Sequence, residues 1–554
     1  MLSGFAVPKW HELGVRPSVD TTGYILHCKD IPFLSQERLL ELPVEDPHLR
    51  ESLRRLLGWT NDAGRYECAA TEELETATLS MADINLQLQR RKIRRQHANL
   101  GTCKPLRTPE HAKKRWRPLQ WPKLANQVTS RHSNVDFTPY QKRHAAILKG
   151  AWTIDLDWSA FYDQFELSPE VSQYFSFRAR DSRVYSMCVL PMGLKHSVSV
   201  AHTATLVLLD FGPSCYCEAY IDNVRLVDDD KECVVEDAAK LACRCAAAGV
   251  TVNEIDVTQL QGLSGELMMV RARELVRPLL KQKGEWLGES YDYEKKLLDI
   301  APKTREKVAS CMSAKRPTFR TFAAAAGILQ YASRTLGIQL AKYYAARRAI
   351  SAVAWLLEGH VHLWDVELPE FCPSVLQSFR SWQLGVLRAK PRLVTEGEPP
   401  SLVIIVDASD SGWGAIAIDD MGRDLFHGSE WTTSDRRCFD TKLSVRAEPE
   451  GIYRACCRFI RWGRDKVVHI ATDSMASKGA VSKGQSLSYW MNHVCWRLQS
   501  TFPGVTFTIQ HIAGATNPAD AISRGAPRPS LEELEAALDI ADRARELRGE
   551  WASR

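Results

Sequence analysis

The sequence predicts a multidomain protein of mixed α/β and α+β class, on three observations. Its 554 residues exceed what one core supports and suit three or four domains at about 150 residues each. Hydrophobic residues make up 45% and charged residues 25%, the balance of globular chains, which excludes disordered, collagen-like and coiled-coil classes. Short β-rich runs alternate with helical ones along 150–250, and the alternation returns beyond 400.

Residues 1–89 are mixed, with helical stretches at 51–57 and 71–89, and present no recognisable chemistry. From 90 to 149 the chain has 16 Lys and Arg against two acids, Glu110 and Asp136. That window is +14, while the whole chain is only +5 and the remainder −9. Basic charge concentrated this way fits a polyanionic partner, nucleic acid above all, with a solvated face as the bland reading. Runs 152–156 and 219–227 read as strands, and the alanine-rich 236–248 as a helix. Residues 300–360 are mostly helical, most clearly at 323–331 and 340–357. The Pro-containing stretch 390–401, KPRLVTEGEPPS, reads as a linker. Beyond it, strands are expected at 402–407, 414–418, 467–472 and 506–511, with helices around 448–462 and at 488–498. Ser530-Leu-Glu-Glu533 is a capping box that opens a last helix.

Fifteen cysteines, an odd number, are scattered, and Cys215/Cys217, Cys243/Cys245 and Cys456/Cys457 lack the spacing of a zinc ribbon. The opening MLSGFAVPKWHELGVR has no charged-then-apolar leader pattern. Apolar runs such as 205–209 fall far short of the ~20 residues of a bilayer span. The expectation is a soluble protein with free thiols, in the cytoplasm or nucleus, with no membrane partner.

Two sets of acids carry chemistry. In the first, Trp152-Thr-Ile-Asp-Leu-Asp-Trp-Ser-Ala-Phe-Tyr-Asp-Gln-Phe-Glu-Leu167 places acids at a strand end, and Asp222 follows in a strand-like stretch with a hairpin turn. Carboxylates side by side on adjacent strands repel unless cations lie between them. Two-metal phosphoryl transfer needs that arrangement, with ions ~3.5–4 Å apart. The ordered set Arg115-Trp-Arg-Pro-Leu119, the Asp157 segment, Val189-Leu-Pro-Met-Gly-Leu-Lys195, Tyr220-Ile-Asp-Asn223, Gly249-Val-Thr-Val-Asn253 and Trp286-Leu-Gly288 resembles a reverse transcriptase across residues 112–310. Its detail is similar to the tyrosine-recombinase (DIRS-like, VIPER-type) retrotransposons.

That resemblance implies a right-hand polymerase of fingers, palm and thumb. It makes Asp157 and Asp222 metal ligands, with Asp155 the alternative to Asp157. Tyr162 becomes the gate beneath the incoming sugar, and Arg117 the fork that holds the triphosphate. Lys195 and the Gly193 backbone contribute to the nucleotide and template pocket, or are a surface lysine and a turn glycine. The cations Arg90, Arg91, Lys92, Arg94, Arg95, Lys113, Lys114 and Arg115 supply phosphate contacts that weaken with salt and do not read sequence. Two features depart from the family. Asn223 stands where a second acid is usual, and an amide binds Mg²⁺ poorly. Residues 254–280 read as an insertion, and the first lysines after Asn253 are Lys281 and Lys283, so no acid for pyrophosphate release is assigned.

The second set is Ile405-Val-Asp-Ala-Ser-Asp-Ser-Gly-Trp-Gly414, Arg446-Ala-Glu-Pro-Glu450, Ile470-Ala-Thr-Asp-Ser474 and Asn517-Pro-Ala-Asp-Ala-Ile-Ser-Arg524. This series resembles ribonuclease H over residues 400–525. It implies a ribonuclease H-like α/β domain with Asp407, Glu448, Asp473 and Asp520 as metal ligands. Glu450 competes with Glu448, and Pro449 is expected in the helix's first turn. His511 reads as a hydrogen-bonded structural histidine, or else as a general acid.

Together the resemblances imply 90–255 as basic segment, fingers and palm, and 256–395 as insertion, thumb and connection. Residues 396–526 become the ribonuclease H domain, 527–554 a C-terminal helix, and 1–89 a region of unassigned role. The implied activity is RNA-directed DNA synthesis coupled to cleavage of RNA in RNA–DNA hybrids. Two Mg²⁺ ions per site are the implied cofactors, with Mn²⁺ as substitute. The implied partners are RNA template, DNA primer, hybrid and dNTPs, with a recombinase or other element protein on a separate chain. Asn223 keeps open a second reading, a decayed or domesticated copy that retains only ribonuclease H or only nucleic-acid binding.

Overall fold

The computed structural model describes residues 21–66, 74, 77, 79–96, 100–110, 113–129, 135–313, 318–366 and 373–546, and it is of the expected mixed α/β, multidomain class. The described residues form two compact units, one running to 286 and including 292–295, the other comprising 287–291 and 296 onward. Among them no helix is long and apolar enough to cross a membrane.

In the first unit, the helix expected at 51–57 runs over Pro47–Asn61, because Asp46 caps it and Pro47 occupies its first turn. The helix expected at 71–89 occupies Met81–Gln89 behind a Ser80/Asp83 capping box, and residues 71–73, 75, 76 and 78 lie outside the described residues. Strands β1 (Lys104–Glu110) and β2 (Arg115–Trp121) form a hairpin, and Ile25–Leu26 adds to β2 in parallel. A second small sheet joins Ile93–Arg95, Val184–Met187 and Ser176–Arg178. The central sheet holds β3 (Trp152–Asp157), β4 (Tyr216–Tyr220) and β5 (Asn223–Asp228), with β5 in the middle. The strand expected at 219–227 is therefore two strands, since Tyr220 pairs with Asn223 across a turn of Ile221 and Asp222. Ile221 adopts φ +57° there, a left-handed conformation that a β-branched residue takes only where its surroundings hold it.

Helix α1 (Ser197–Leu209) is buried nearly all round. Helix α2 (Lys231–Ala248) starts earlier than expected because the Asp230 side chain accepts the Glu232 N–H, and it ends at Gly249 with φ +74°. Both pack into a core containing Ile154, Leu156, Trp158, Phe161, Val224 and Leu226. The stretch read as an insertion folds as helix α3 (Gly265–Val276) against α2. Arg273 there pairs with Glu236 and Glu266, and Arg277 pairs with Glu232.

In the second unit, α4 (Phe319–Leu336), α5 (Tyr344–Leu356) and α6 (Pro373–Arg388) enclose Leu329, Tyr343, Phe379 and Trp382. The expected helix at 340–357 starts with a tighter turn, Leu340–Tyr343. Within the linker, Arg392–Leu393 forms a short strand paired with Leu297 and Leu298. Next come β6 (Leu402–Ala408), β7 (Gly412–Asp419), β8 (Asp424–Glu430), α7 (Ser444–Phe459), β9 (Val467–Thr472), α8 (Met475–Lys483), α9 (Tyr489–Thr501), β10 (Thr506–His511) and α10 (Leu531–Glu546). The five strands lie in the order β8-β7-β6-β9-β10, antiparallel through β6, β7 and β8, and parallel through β6, β9 and β10.

Strand β6 is apolar almost throughout because it is central and covered on both faces. Helices α7 and α9 contribute Ile452, Ala455 and Leu498 to one core, and α10 contributes Ala537, Ala541 and Ala544 to another. The expected capping box is present, with the Ser530 N–H donating to Glu533 at 2.6 Å and the Glu533 N–H to Ser530 at 3.2 Å. Pro449 is not in the first turn. Helix α7 starts at Ser444, so the proline lies in the helix interior, and Val445, whose carbonyl loses its helical donor, is 47% exposed.

Two candidate carboxylate centres

The first centre lies where β3 ends beside the β4–β5 turn. Asp157 sits opposite Asn223 in the β3–β5 register, and the Trp158 N–H donates to the Asp222 carbonyl at 2.8 Å. The turn is held from α1. His202 Nδ1 accepts the Ile221 N–H at 3.1 Å, and Thr205 donates to the Ile221 carbonyl at 2.6 Å. The Asp157 carboxylate accepts from Asn253 Nδ2 at 2.7 Å, and the Asp157 N–H donates to Glu254 at 2.9 Å. Burial raises the Asp157 carboxyl. Burial and the Asp157 charge together push Asp222 up to about 6. Two buried carboxylates, one of them lifted further by the charge of the other, mark a place for positive charge. Asp155 is engaged differently, with the Lys281 ammonium at 2.9 Å.

Asn223 donates its amide N–H to Asp222 Oδ1 at 2.9 Å, which favours the ionised form of Asp222. Asn223→Asp removes that donor and adds a like charge. Asp222 is therefore expected to titrate above its present value of about 6, followed by carboxyl ¹³C NMR without divalent cations, and a downward shift would contradict the geometry.

The half-buried Tyr162 lies in a tight turn, Phe161–Gln164, and burial and the Asp222 charge push its hydroxyl up to about 12. Arg117 is exposed on β2, and its charge stabilises both carboxylates. Gly193 serves a close approach, since a Cβ there would lie 2.0 Å from the Gln120 carbonyl oxygen. The Lys195 ammonium donates to the carbonyls of Asn126 and Thr129, at the end of the helix Lys123–Val128.

The basic residues separate. Arg91, Arg95, Lys113 and Lys114 are exposed. Arg90 pairs with Asp30 at 2.8 Å, and Arg115 with Glu110 at 2.6 Å. Half-buried Arg94 donates to Ser172 at 3.2 Å. Lys92 departs from the expected surface strip. It is 3% exposed and faces the Asp163 carboxylate at 3.5 Å, the opposite charge that lets an ammonium be buried.

The second centre gathers Asp407 from the end of β6, Glu448 from α7 and Asp473 from just beyond β9. One ligand atom of each lies within 4.8 Å of the others. Asp407 accepts from Ser523 Oγ and, at 3.1 Å, from Asn517 Nδ2, yet burial, with Asp473 and Asp520 nearby, pushes it up to about 6. Burial and the charges of Asp407 and Asp473 push Glu448 up to about 9. The buried Glu448 Oε2 has no hydrogen-bond partner. An orphaned oxygen facing two acids fits a hard divalent cation, for which carboxylate oxygens are the preferred donors. Asp520, in the short helix Asp520–Ser523, is outside the 4.8 Å group and pairs with Arg524 at 2.9 Å. Glu450 points into a different network, with Arg454 at 2.9 Å and Arg497. His511 is exposed at the end of β10.

Lys29, Glu254, His202 and Thr205 were not anticipated from the sequence. Lys29 reaches the first centre from 130 residues before Ser159, which no local pattern announces. Glu254, by contrast, directly follows the Gly249–Asn253 motif.

No protein-family model matches the chain, and no curated protein matches it. Among solved structures, it is similar to a foamy viral protease-reverse transcriptase in complex with double-stranded DNA, at 12% identity over 90% of this chain and 84% of that one, TM-score 0.46. It is also similar to the same kind of protein with an RNA/DNA hybrid, at 13% identity over 86% and 62%, TM-score 0.43. A further dsDNA complex matches at 12% identity over 86% and 96%, TM-score 0.44.

Proposed function

We propose that the chain is an RNA-directed DNA polymerase joined to a ribonuclease H, encoded by a DIRS-like, VIPER-type retroelement. The observation that carries this reading is the convergence of Asp407, Glu448 and Asp473, with an unpartnered buried oxygen on Glu448. The pairing of Asp157 with Asp222, and the order of motifs from Arg117 to Trp286, support the polymerase half. Fingers and palm fall within 90–255, thumb and connection within 256–395, ribonuclease H within 396–526, and a C-terminal helix within 527–554.

Mg²⁺, or Mn²⁺ in its place, would supply Lewis acidity to phosphoryl oxygens at both centres. Asp157 and Asp222 would hold it at the first centre. At the second, Asp407, Glu448 and Asp473 would do so, with Asp520 joining once released from Arg524. Arg117 presents its guanidinium to the triphosphate, and Tyr162 closes the floor beneath the sugar. Gly193, through its close approach to Gln120 on β2, and Lys195, through its bonds to the end of the helix Lys123–Val128, shape the pocket. Exposed Arg91, Arg95, Lys113 and Lys114 are the phosphate contacts for template, primer and hybrid. The site of action is the cytoplasm or nucleus, with a recombinase or other element protein as a further partner. Asn223 favours the second reading, a copy active only as ribonuclease H.

Primed RNA with dNTPs and Mg²⁺ or Mn²⁺ tests both halves. Extension is expected to vanish in Asp157→Asn and hybrid cleavage in Asp473→Asn. Extension that survives Asp157→Asn sinks the polymerase assignment. A wild type that cleaves and never extends establishes the second reading.

A further inference from the structure

We propose that Lys29 is a second phosphate-binding cation of the first centre, beside Arg117, seating the triphosphate tail of an incoming nucleotide and the pyrophosphate that leaves; this rests on the polymerase reading above. Its placement follows from the chain path. Ile25–Leu26 pairs in parallel with β2, and the His27 N–H donates to the Trp116 carbonyl at 2.8 Å. The strand beside Arg117 thus delivers Lys29 to the open end of β3. There its ammonium donates to Ser159 Oγ and Asn253 Oδ1, both at 2.8 Å. Those two residues flank Asp157, one two positions further along the chain and the other hydrogen-bonded to its carboxylate. An ammonium has three donors, so one is available to a ligand.

The charges narrow the ligand. Lys29, Lys113 and Arg117 all act on Asp157. Side-chain cations and divalent ions at the same carboxylates repel each other unless a polyanion lies between them. A nucleoside triphosphate or pyrophosphate is such an anion. Lys281 and Lys283 are committed elsewhere, to Asp155 at 2.9 Å and to Asp292 at 3.0 Å. Lys195 donates to backbone carbonyls. A mere tether between the 24–29 segment and Asn253 would need no free donor and would not respond to phosphate.

The full chain, as wild type, Lys29→Gln and Lys29→Arg, is titrated calorimetrically with Mg²⁺-pyrophosphate, and the KM for dTTP is read on primed poly(rA). Lys29→Gln is expected to weaken pyrophosphate binding about tenfold or more, as loss of a charged hydrogen bond does. It should also raise KM more than it lowers kcat, with Lys29→Arg keeping most of the affinity. In the wild type, Mg²⁺-pyrophosphate should slow acetylation of Lys29 by an N-hydroxysuccinimide ester, a readout that needs no variant to fold. Equal binding by wild type and Lys29→Gln, no binding by wild type, or unchanged acetylation overturns the inference. Pyrophosphate binding through Lys29 in a chain that never extends a primer sinks the polymerase reading alone. Extension with an unchanged KM in Lys29→Gln sinks the role of Lys29 alone.

Discussion

Glu448→Gln is expected to lower hybrid cleavage by about 10³-fold or more, while the cation-free protein melts higher than wild type at pH 8. The activity loss follows from removing one of three converging ligands, where each ~1.4 kcal/mol of lost transition-state stabilisation is tenfold in rate. The stability gain follows from the same crowding. Burial and the charges of Asp407 and Asp473 push Glu448 from its ordinary 4.5 up to about 9. A group whose folded value is raised contributes stability that is complete below its unfolded value and is lost as pH climbs through the folded one. Glu448 therefore weakens the cation-free fold progressively between about pH 4.5 and 9. Asp407 adds a smaller loss between 3.8 and about 6. A neutral amide removes the larger of these losses, so its advantage should be absent at pH 4 and grow toward pH 9. Mg²⁺ should then raise the melting temperature of wild type more than that of the variant. Calorimetry in EDTA across this range, beside hybrid cleavage in Mg²⁺, is decisive. A variant that melts lower at pH 8 would show that Glu448 is held by contacts rather than strained by charge.

What could be read from sequence, and what could not, divides along the range of the interactions. The run Leu402–Ala408 is apolar at nearly every position, so a buried central strand was legible, and so was the acid at its end. The capping boxes at Ser80 and Ser530 bridge three residues each, but only the second was read. Strand β8 escaped because all its positions but His427 are exposed, which leaves no alternation to detect. At 219–227 the turn at Asp222 was legible, but flanking β-formers on both sides, Tyr220-Ile221 and Val224, made the run read as one strand. Lys92 looked like part of a solvated strip, since a basic run gives no sign of which member is buried against Asp163. The choice between Glu448 and Glu450 depends on the phase of α7, which starts four residues before the helix was expected. Lys29 required the parallel pairing of Ile25–Leu26 with β2, a contact between segments about ninety residues apart.

Glu218→Ala is expected to destabilise the first unit by about 3–5 kcal/mol, the usual cost of stranding a buried charge. Glu218 and Arg225 face each other across β4 and β5 in direct register, with side chains 2% and 0% exposed. Arg225 Nε donates to the Glu218 carboxylate at 2.8 Å, and Nη2 donates to the Arg143 carbonyl at 2.6 Å. Its guanidinium lies 5.1 Å from the Trp286 ring centroid. Alanine removes the carboxylate that holds this guanidinium from β4. Asp155, opposite Arg225 on β3, is engaged by Lys281 at 2.9 Å, and a carbonyl, a hydroxyl and a ring do not neutralise a full charge. The damage should reach the chemistry, because β5 carries Arg225 two residues beyond Asn223 and holds the turn that presents Asp222. Urea unfolding should therefore show the loss, and extension should fall with it. Glu218→Met combined with Arg225→Met removes both charges and should recover most of the stability, as apolar replacement of a buried pair does. If the single variant costs less than about 1 kcal/mol, the pair is solvated through an opening, and the central strand owes its place to apolar packing by Val224 and Leu226 alone.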